Sequence, residues 1–149
     1  MSLPFRVVID TNIAIKHFIP DPLSTKVDEL LLHLENPQTE LFVPDLFYAE
    51  SANTLWKYVR AGQYPADQIQ VALATLKALP LQSVVTKDLI ADAIQISLDY
   101  GISVYDSCYI ALSQRVSVPL LTLDTRLVNA ITAGSFEVWL FTDFTVPPI

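Results

Sequence analysis

Val7-Val8-Ile9-Asp10-Thr11-Asn12 decides how the rest of the chain is read. A short apolar run ends on an acid, and two small polar residues follow before helical periodicity begins. In open parallel α/β sheets ligands bind outside the carboxyl ends of the strands. An acid at a strand tip therefore stands where chemistry is done. Glu50, Asp106 and Asp124 stand at comparable junctions further along. Four carboxylates that a parallel sheet brings to one edge point to a divalent-metal site, and so to phosphodiester chemistry.

Working outward, residues 5–9 are the first expected strand. A helix over 12–19 is stopped by Pro20 and Pro22. Val27, Leu30, Leu31 and Leu34 keep i, i+3, i+4, i+7 spacing, which predicts a helix over about 23–35. Residues 41–43 form a short strand. Pro44-Asp45 opens a helix that runs to Arg60 and stops at Gly62. A helix over 67–79 has Ile69, Ala72, Leu73 and Leu76 on one face, and a strand follows over 81–85. Thr86 is the expected N-cap of a helix over 87–100, with the apolar stripe Ile90, Ala93, Ile94 and Leu98 and Gly101 as C-cap. Residues 106–114 form a further helix, 119–123 a strand, 125–133 a helix ended by Gly134, and 136–141 a last strand. Strands alternating with helices imply right-handed crossovers and a mainly parallel, roughly five-stranded sheet covered on both faces.

The 149 residues suit one domain over 1–149 with a single core. An apolar fraction of 52% against 17% charged describes a folded chain and not a disordered one. With 3 Gly there is no phosphate-binding glycine loop, so phosphate handling falls to a metal or to side chains. The single Cys108 makes no intrachain disulfide, and a reducing cytoplasm is the expected compartment. No apolar run reaches the roughly 18 residues of a membrane span. A mean hydropathy of +0.40 fits buried parallel strands and a partner interface. The net charge of −7 argues against generic nucleic-acid binding. Any such site must be a local basic patch.

Each acid has a plainer reading. Asp10, Asp106 and Asp124 are each placed to cap a following helix. Thr11 or Asn12 serves as well at the first, which frees Asp10. Glu50 shares a helix face with Asn53, Lys57 and Arg60, either as a solvated stripe or with Glu50 on metal and the cations on phosphates. Asp106 heads a mostly apolar helix, and a charge at the head of a buried helix needs a partner. His17 and His33 lack ligand spacing and read as surface or helix-end residues, so zinc is not expected. Cys108 lacks a nearby His base. Phe47, Tyr48, Trp56 and Tyr58 read as core or dimer contacts.

The chain resembles PIN-domain ribonucleases, in particular the VapC-like toxins of toxin–antitoxin pairs. The resemblance is carried by Val8-Ile9-Asp10-Thr11-Asn12, Pro44-Asp45 with Glu50-Ser51-Ala52-Asn53, Tyr105-Asp106-Ser107 with Ala111-Leu112, and Leu121-Thr122-Leu123-Asp124-Thr125-Arg126-Leu127. It implies a three-layer α/β/α sandwich and Mg²⁺- or Mn²⁺-dependent endoribonuclease activity. It assigns Asp10, Glu50, Asp106 and Asp124 to the metal, with Thr11 and Asn12 supporting the first acid. It also implies a homodimer silenced by a cognate antitoxin. The acidic charge departs from strong generic RNA binding and favours a narrow RNA substrate. Lys57, Arg60 and Arg126 are the expected phosphate contacts.

Two rival readings come from other classes. A non-catalytic PIN-like module would bind RNA or protein without cleavage. A phosphotransferase with Asp10 as nucleophile ordinarily wants a second acid two residues on, where this chain has Asn12.

Overall fold

The computed structural model describes residues 4–149. Strand β1 (Arg6–Ile9) lies in the middle of a five-stranded, all-parallel sheet ordered β3-β2-β1-β4-β5. The others are β2 (Glu40–Pro44), β3 (Gln82–Val84), β4 (Leu120–Thr122) and β5 (Val138–Leu140). Val7, Val8, Ile9, Leu41, Val43, Leu120 and Leu121 are almost fully buried. Such unbroken apolar strands are what a parallel sheet covered by helices demands.

The flanking helices are α1 (Thr11–Ala14), α2 (Ser24–Leu32), α3 (Leu46–Arg60), α4 (Ile69–Ala78), α5 (Ile90–Tyr100), α6 (Val104–Val116) and α7 (Thr125–Ala130). The expected helices 12–19, 23–35 and 67–79 each include a 3-10 turn, at Ile15–His17, His33–Glu35 and Ala66–Gln68. Among the described residues no helix is long and apolar enough to cross a membrane.

The chain runs outward from β1 through β2 to β3, then returns to lay β4 on the other side of β1. Val8 pairs with Phe42 on one side and Leu120 on the other. Strand order therefore reverses between β1 and β4, where an open α/β sheet leaves a crevice at its carboxyl edge.

Four expectations are corrected. Thr86 caps no helix, because α5 begins only at Ile90. Its hydroxyl and backbone N–H both bond Asp45, and its hydroxyl oxygen accepts from Leu46 N, tying β3 to the head of α3. These bonds hold the Asp45 carboxyl below its ordinary range. Second, of the expected stripe of α5 only Ala93 faces the core. Leu89, Ala93 and Ile96 are buried, while Ile90, Ile94 and Leu98 are 46, 47 and 73% exposed. The i, i+4 spacing was real, but the buried Leu89 and Ile96 set a different inward face.

Third, His33 is at a helix end but is fully buried, its Nε2 2.7 Å from the Pro147 carbonyl and its ring edge-on to Phe5. Fourth, Asp106 is not a cap. Helix α6 starts at Val104, and the Ser103 hydroxyl accepts from the Asp106 N–H. The carboxylate is left for other contacts.

Helix α6 is buried from Ser107 to Ser113. Small residues let it approach α5, with the Ser97 and Ser107 hydroxyls 2.8 Å apart. Of the aromatics on α3, Phe47 joins the main core and Tyr58 packs against a second cluster of Ile15, Ile19, Leu55 and Ala72. Trp56 is half exposed, with the Arg60 guanidinium 4.8 Å above its ring.

Candidate metal centre

Asp10 follows directly from β1, and its N–H donates to the Leu121 carbonyl of β4. Its backbone occupies the N-cap position of α1, yet its carboxylate makes no capping bond. It accepts instead from the Thr122 hydroxyl at 2.8 Å and more weakly from Asn12 Nδ2 at 3.4 Å. Thr11 and Asn12 do not cap α1 either. Asn12 crosses to β4, its Nδ2 donating to Thr122 Oγ1 and its Oδ1 accepting from Leu123 N. Both residues brace the site from within, and Thr11 is buried.

Burial is the largest influence on Asp10, and the negative charges of Asp106 and Glu50 act in the same direction. The Thr122 bond opposes them, and the net result pushes the carboxyl up to about 7. Glu50 and Asp106 are also raised, first by burial, then by Asp106 on Glu50 and by Asp124 on Asp106. Tyr109 and Thr11 hydrogen bonds pull Glu50 the other way. The charges of Glu50 and Asp106 thus act on Asp10, that of Asp106 on Glu50 and that of Asp124 on Asp106.

Their plainer roles divide unequally. Asp124 does cap its helix, with Oδ1 accepting from Leu127 N at 3.1 Å, while its own N–H donates to Thr122. Asp10 and Asp106 do not cap with their side chains. Among the described residues the ion pairs are Arg6–Glu40, Lys16–Asp21 and His17–Asp28, and none neutralises the four acids. No three His, Cys, Asp or Glu side chains among the described residues converge closely enough to hold an ion as they stand. The donor chemistry nonetheless suits a hard divalent cation, since every candidate is a carboxylate oxygen. A buried anion such as Asp10 without a cationic partner is costly.

The expected phosphate contacts lie further out. Lys57, Arg60 and Arg126 are exposed. Lys57 is about 10 Å and Arg60 about 15 Å beyond Glu50 along α3, at 1.5 Å per residue. Arg126 follows Asp124 in the first turn of α7.

Two residues at the site were assigned no role from sequence. Thr122 bonds Asp10, Asn12 and Asp124 at once. Tyr109, fully buried on α6, donates to Glu50 Oε1 at 2.7 Å and lies 2.8 Å from Thr11 Oγ1. The signals were a lone hydroxyl inside the apolar run Leu120-Leu121-Thr122-Leu123 and a Tyr three residues after Asp106, on the same helix face.

The five parallel strands and the switch point between β1 and β4 are the setting of these acids, and the PIN-domain family profile matches residues 7–131. The chain belongs to the PIN-domain family. It is 30% identical over 132 residues to ribonuclease VapC3 of Pyrobaculum aerophilum, covering 86% of this chain and 96% of that protein. The fold is shared with a toxin–antitoxin complex from Klebsiella pneumoniae, at TM-score 0.58 and 20% identity, covering 89% of this chain and 95% of that one. It is shared too with VapC20 of Mycobacterium tuberculosis, a sarcin-ricin loop cleaving toxin, at TM-score 0.63 and 15% identity, covering 87% and 95%.

Proposed function

We propose that this chain is a divalent-metal-dependent endoribonuclease, the toxin of a toxin–antitoxin pair. The observation that carries the chemistry is Asp10, buried at the β1/β4 switch point beside Glu50 and Asp106 without a neutralising cation among the described residues. The kinship with a VapC ribonuclease supports RNA as the substrate.

Asp10, Glu50 and Asp106 would hold Mg²⁺ or Mn²⁺, with Asp124 adding the oxygen its helix cap leaves unused. Bound there, the cation supplies polarisation of the phosphodiester and activation of the attacking water. The chain's own residues do the rest. Thr122 keeps the Asp10 carboxylate in place, Glu50 orients the attacking water, and Lys57, Arg60 and Arg126 guide the RNA backbone. Because the net charge is −7, these few cations give a local footprint, which suits a narrow RNA substrate in the cytoplasm.

Protein partners belong to the same reading. The exposed row Ile90, Ile94 and Leu98 on α5 supports a homodimer. A groove of ≈ 490 Å³, lined by Leu31, Leu32, Leu34, Leu79 and Pro80 with Asp28 and Glu35 at its rim, supports an antitoxin segment.

The test is incubation of purified protein with total RNA, with Mg²⁺ or Mn²⁺ and with chelator, followed by mapping of 5′ ends. Discrete cuts that need the metal and vanish in Asp10→Asn are expected. Cutting that persists in chelator, or in Asp10→Asn, would refute the metal mechanism. RNA binding without any cleavage would favour the non-catalytic module.

A further inference from the structure

The Tyr109 side chain is one of the largest fully buried groups in the molecule. For packing alone a Phe would fill the same place, and burying a phenol hydroxyl is costly unless it is bonded. The hydroxyl is bonded on both sides. It donates to Glu50 Oε1 at 2.7 Å. With its only proton so used, its oxygen must accept from the Thr11 hydroxyl at 2.8 Å. The direct Thr11-to-Glu50 contact is longer, at 3.4 Å.

The three groups come from α1, α3 and α6, and the protons all run one way, from Thr11 to Tyr109 to the Glu50 carboxylate. Such a chain ends on an acceptor oxygen, and its members polarise one another. Both contacts reach the same oxygen, Oε1. Among the described residues Oε2 has no hydrogen-bond partner.

We propose that Tyr109 is a positioning residue: the Thr11–Tyr109–Glu50 hydroxyl chain fixes one oxygen of Glu50 and reserves the other for the cation or the attacking water. This inference rests on the metal-nuclease reading above. A tether behind a ligand acts as outer-shell partners do elsewhere, setting the rotamer and the charge of the group it holds.

The experiment is titration calorimetry of Mn²⁺ into wild type, Tyr109→Phe, Thr11→Val and Thr11→Ser, with metal-free melting curves and kcat and KM for RNA cleavage. Tyr109→Phe keeps the ring and removes only the hydroxyl. It should melt within a few degrees of wild type, bind Mn²⁺ roughly ten- to a hundredfold more weakly, and lose kcat with KM unchanged. Thr11→Val should weaken Mn²⁺ in the same sense, and Thr11→Ser should restore it. Wild-type Mn²⁺ affinity and kcat in Tyr109→Phe would overturn the proposal. Should Tyr109→Phe not fold, equal Mn²⁺ affinity in Thr11→Val and Thr11→Ser would overturn it instead. A wild type that binds no Mn²⁺ refutes the metal reading beneath it, which is a separate outcome.

Discussion

The Thr122 hydroxyl donates to Asp10 Oδ2 at 2.8 Å, across the β1/β4 pair where Asp10 N–H meets the Leu121 carbonyl. One short hydroxyl on a fully buried strand residue thus holds the acid around which the site is built. Its oxygen also accepts from Asn12 Nδ2 and Asp124 N, so a single atom ties the first acid to the last.

Thr122→Val keeps the shape and removes that atom. At pH 8, where Asp10 is ionised, the loss of a hydrogen bond to a buried charge should cost about 2–3 kcal/mol. At pH 5, where Asp10 is protonated, the cost should shrink. Chemical denaturation of the metal-free protein at both pH values measures the difference. Equal destabilisation at both would show that the bond does not act on the carboxylate.

Asp10 itself makes the metal-free fold sensitive to pH. Its folded-state value of about 7 lies above the ordinary 3.8. Between those values folded Asp10 holds a proton that the unfolded chain has released. Stability must therefore fall as pH rises through that window and level off above it, by an amount on the order of a few kcal/mol. Melting in chelator should show a lower Tm at pH 8 than at pH 5, and Asp10→Asn should flatten that slope. Saturating Mn²⁺ should raise the Tm of wild type at pH 8, since a ligand that binds only the folded state stabilises it. A Tm that rises from pH 5 to pH 8 in chelator would contradict the cause assigned to Asp10.

How far the sequence carried can be judged from such residues. The strands were legible because unbroken runs such as Val7-Val8-Ile9 and Leu120-Leu121 have few homes other than a covered parallel sheet. The kinship shown by the family profile agrees with the motifs around Asp10, Glu50, Asp106 and Asp124. What was not legible is what depends on pairing. Thr122 matters because β4 lies in register beside β1, and Tyr109 because its hydroxyl on α6 reaches Glu50 on α3. Neither neighbour is visible along the chain. Helix α5 misled for a related reason. Periodicity shows that Ile90, Ile94 and Leu98 share a face, and tertiary packing alone decides that Leu89 and Ile96 point inward.

The cations on α3 and α7 should separate by distance from the acids. Lys57→Ala and Arg126→Ala should raise KM for RNA with kcat little changed, and each should lower the salt dependence of binding by roughly one phosphate contact. Arg60→Ala should do less, because its guanidinium is stacked over Trp56 and lies about 15 Å along the helix from Glu50. Fluorescence anisotropy with a catalytically silent Asp10→Asn background, across a salt series, measures this. An Arg60 effect larger than that of Lys57 would place the RNA path along the far end of α3.

The row Ile90, Ile94 and Leu98 offers a direct test of self-association. Ile90 and Ile94 are just under half exposed and Leu98 is 73% exposed, at positions four residues apart on one face. Full burial of an Ile or Leu is worth about 1.5–3 kcal/mol, so two such rows packed against each other give a substantial drive to pair. Ile94→Asp places a charge in the middle of that row and, because the position is exposed in the protomer, should leave its Tm within about 2 °C at matched concentrations below dissociation. Light scattering after gel filtration should give a dimer for wild type and a protomer of 16.6 kDa for the variant. A dimer that survives Ile94→Asp would move the self-association surface to another face. A wild type that is monomeric at tens of micromolar would remove the homodimer from the proposed function.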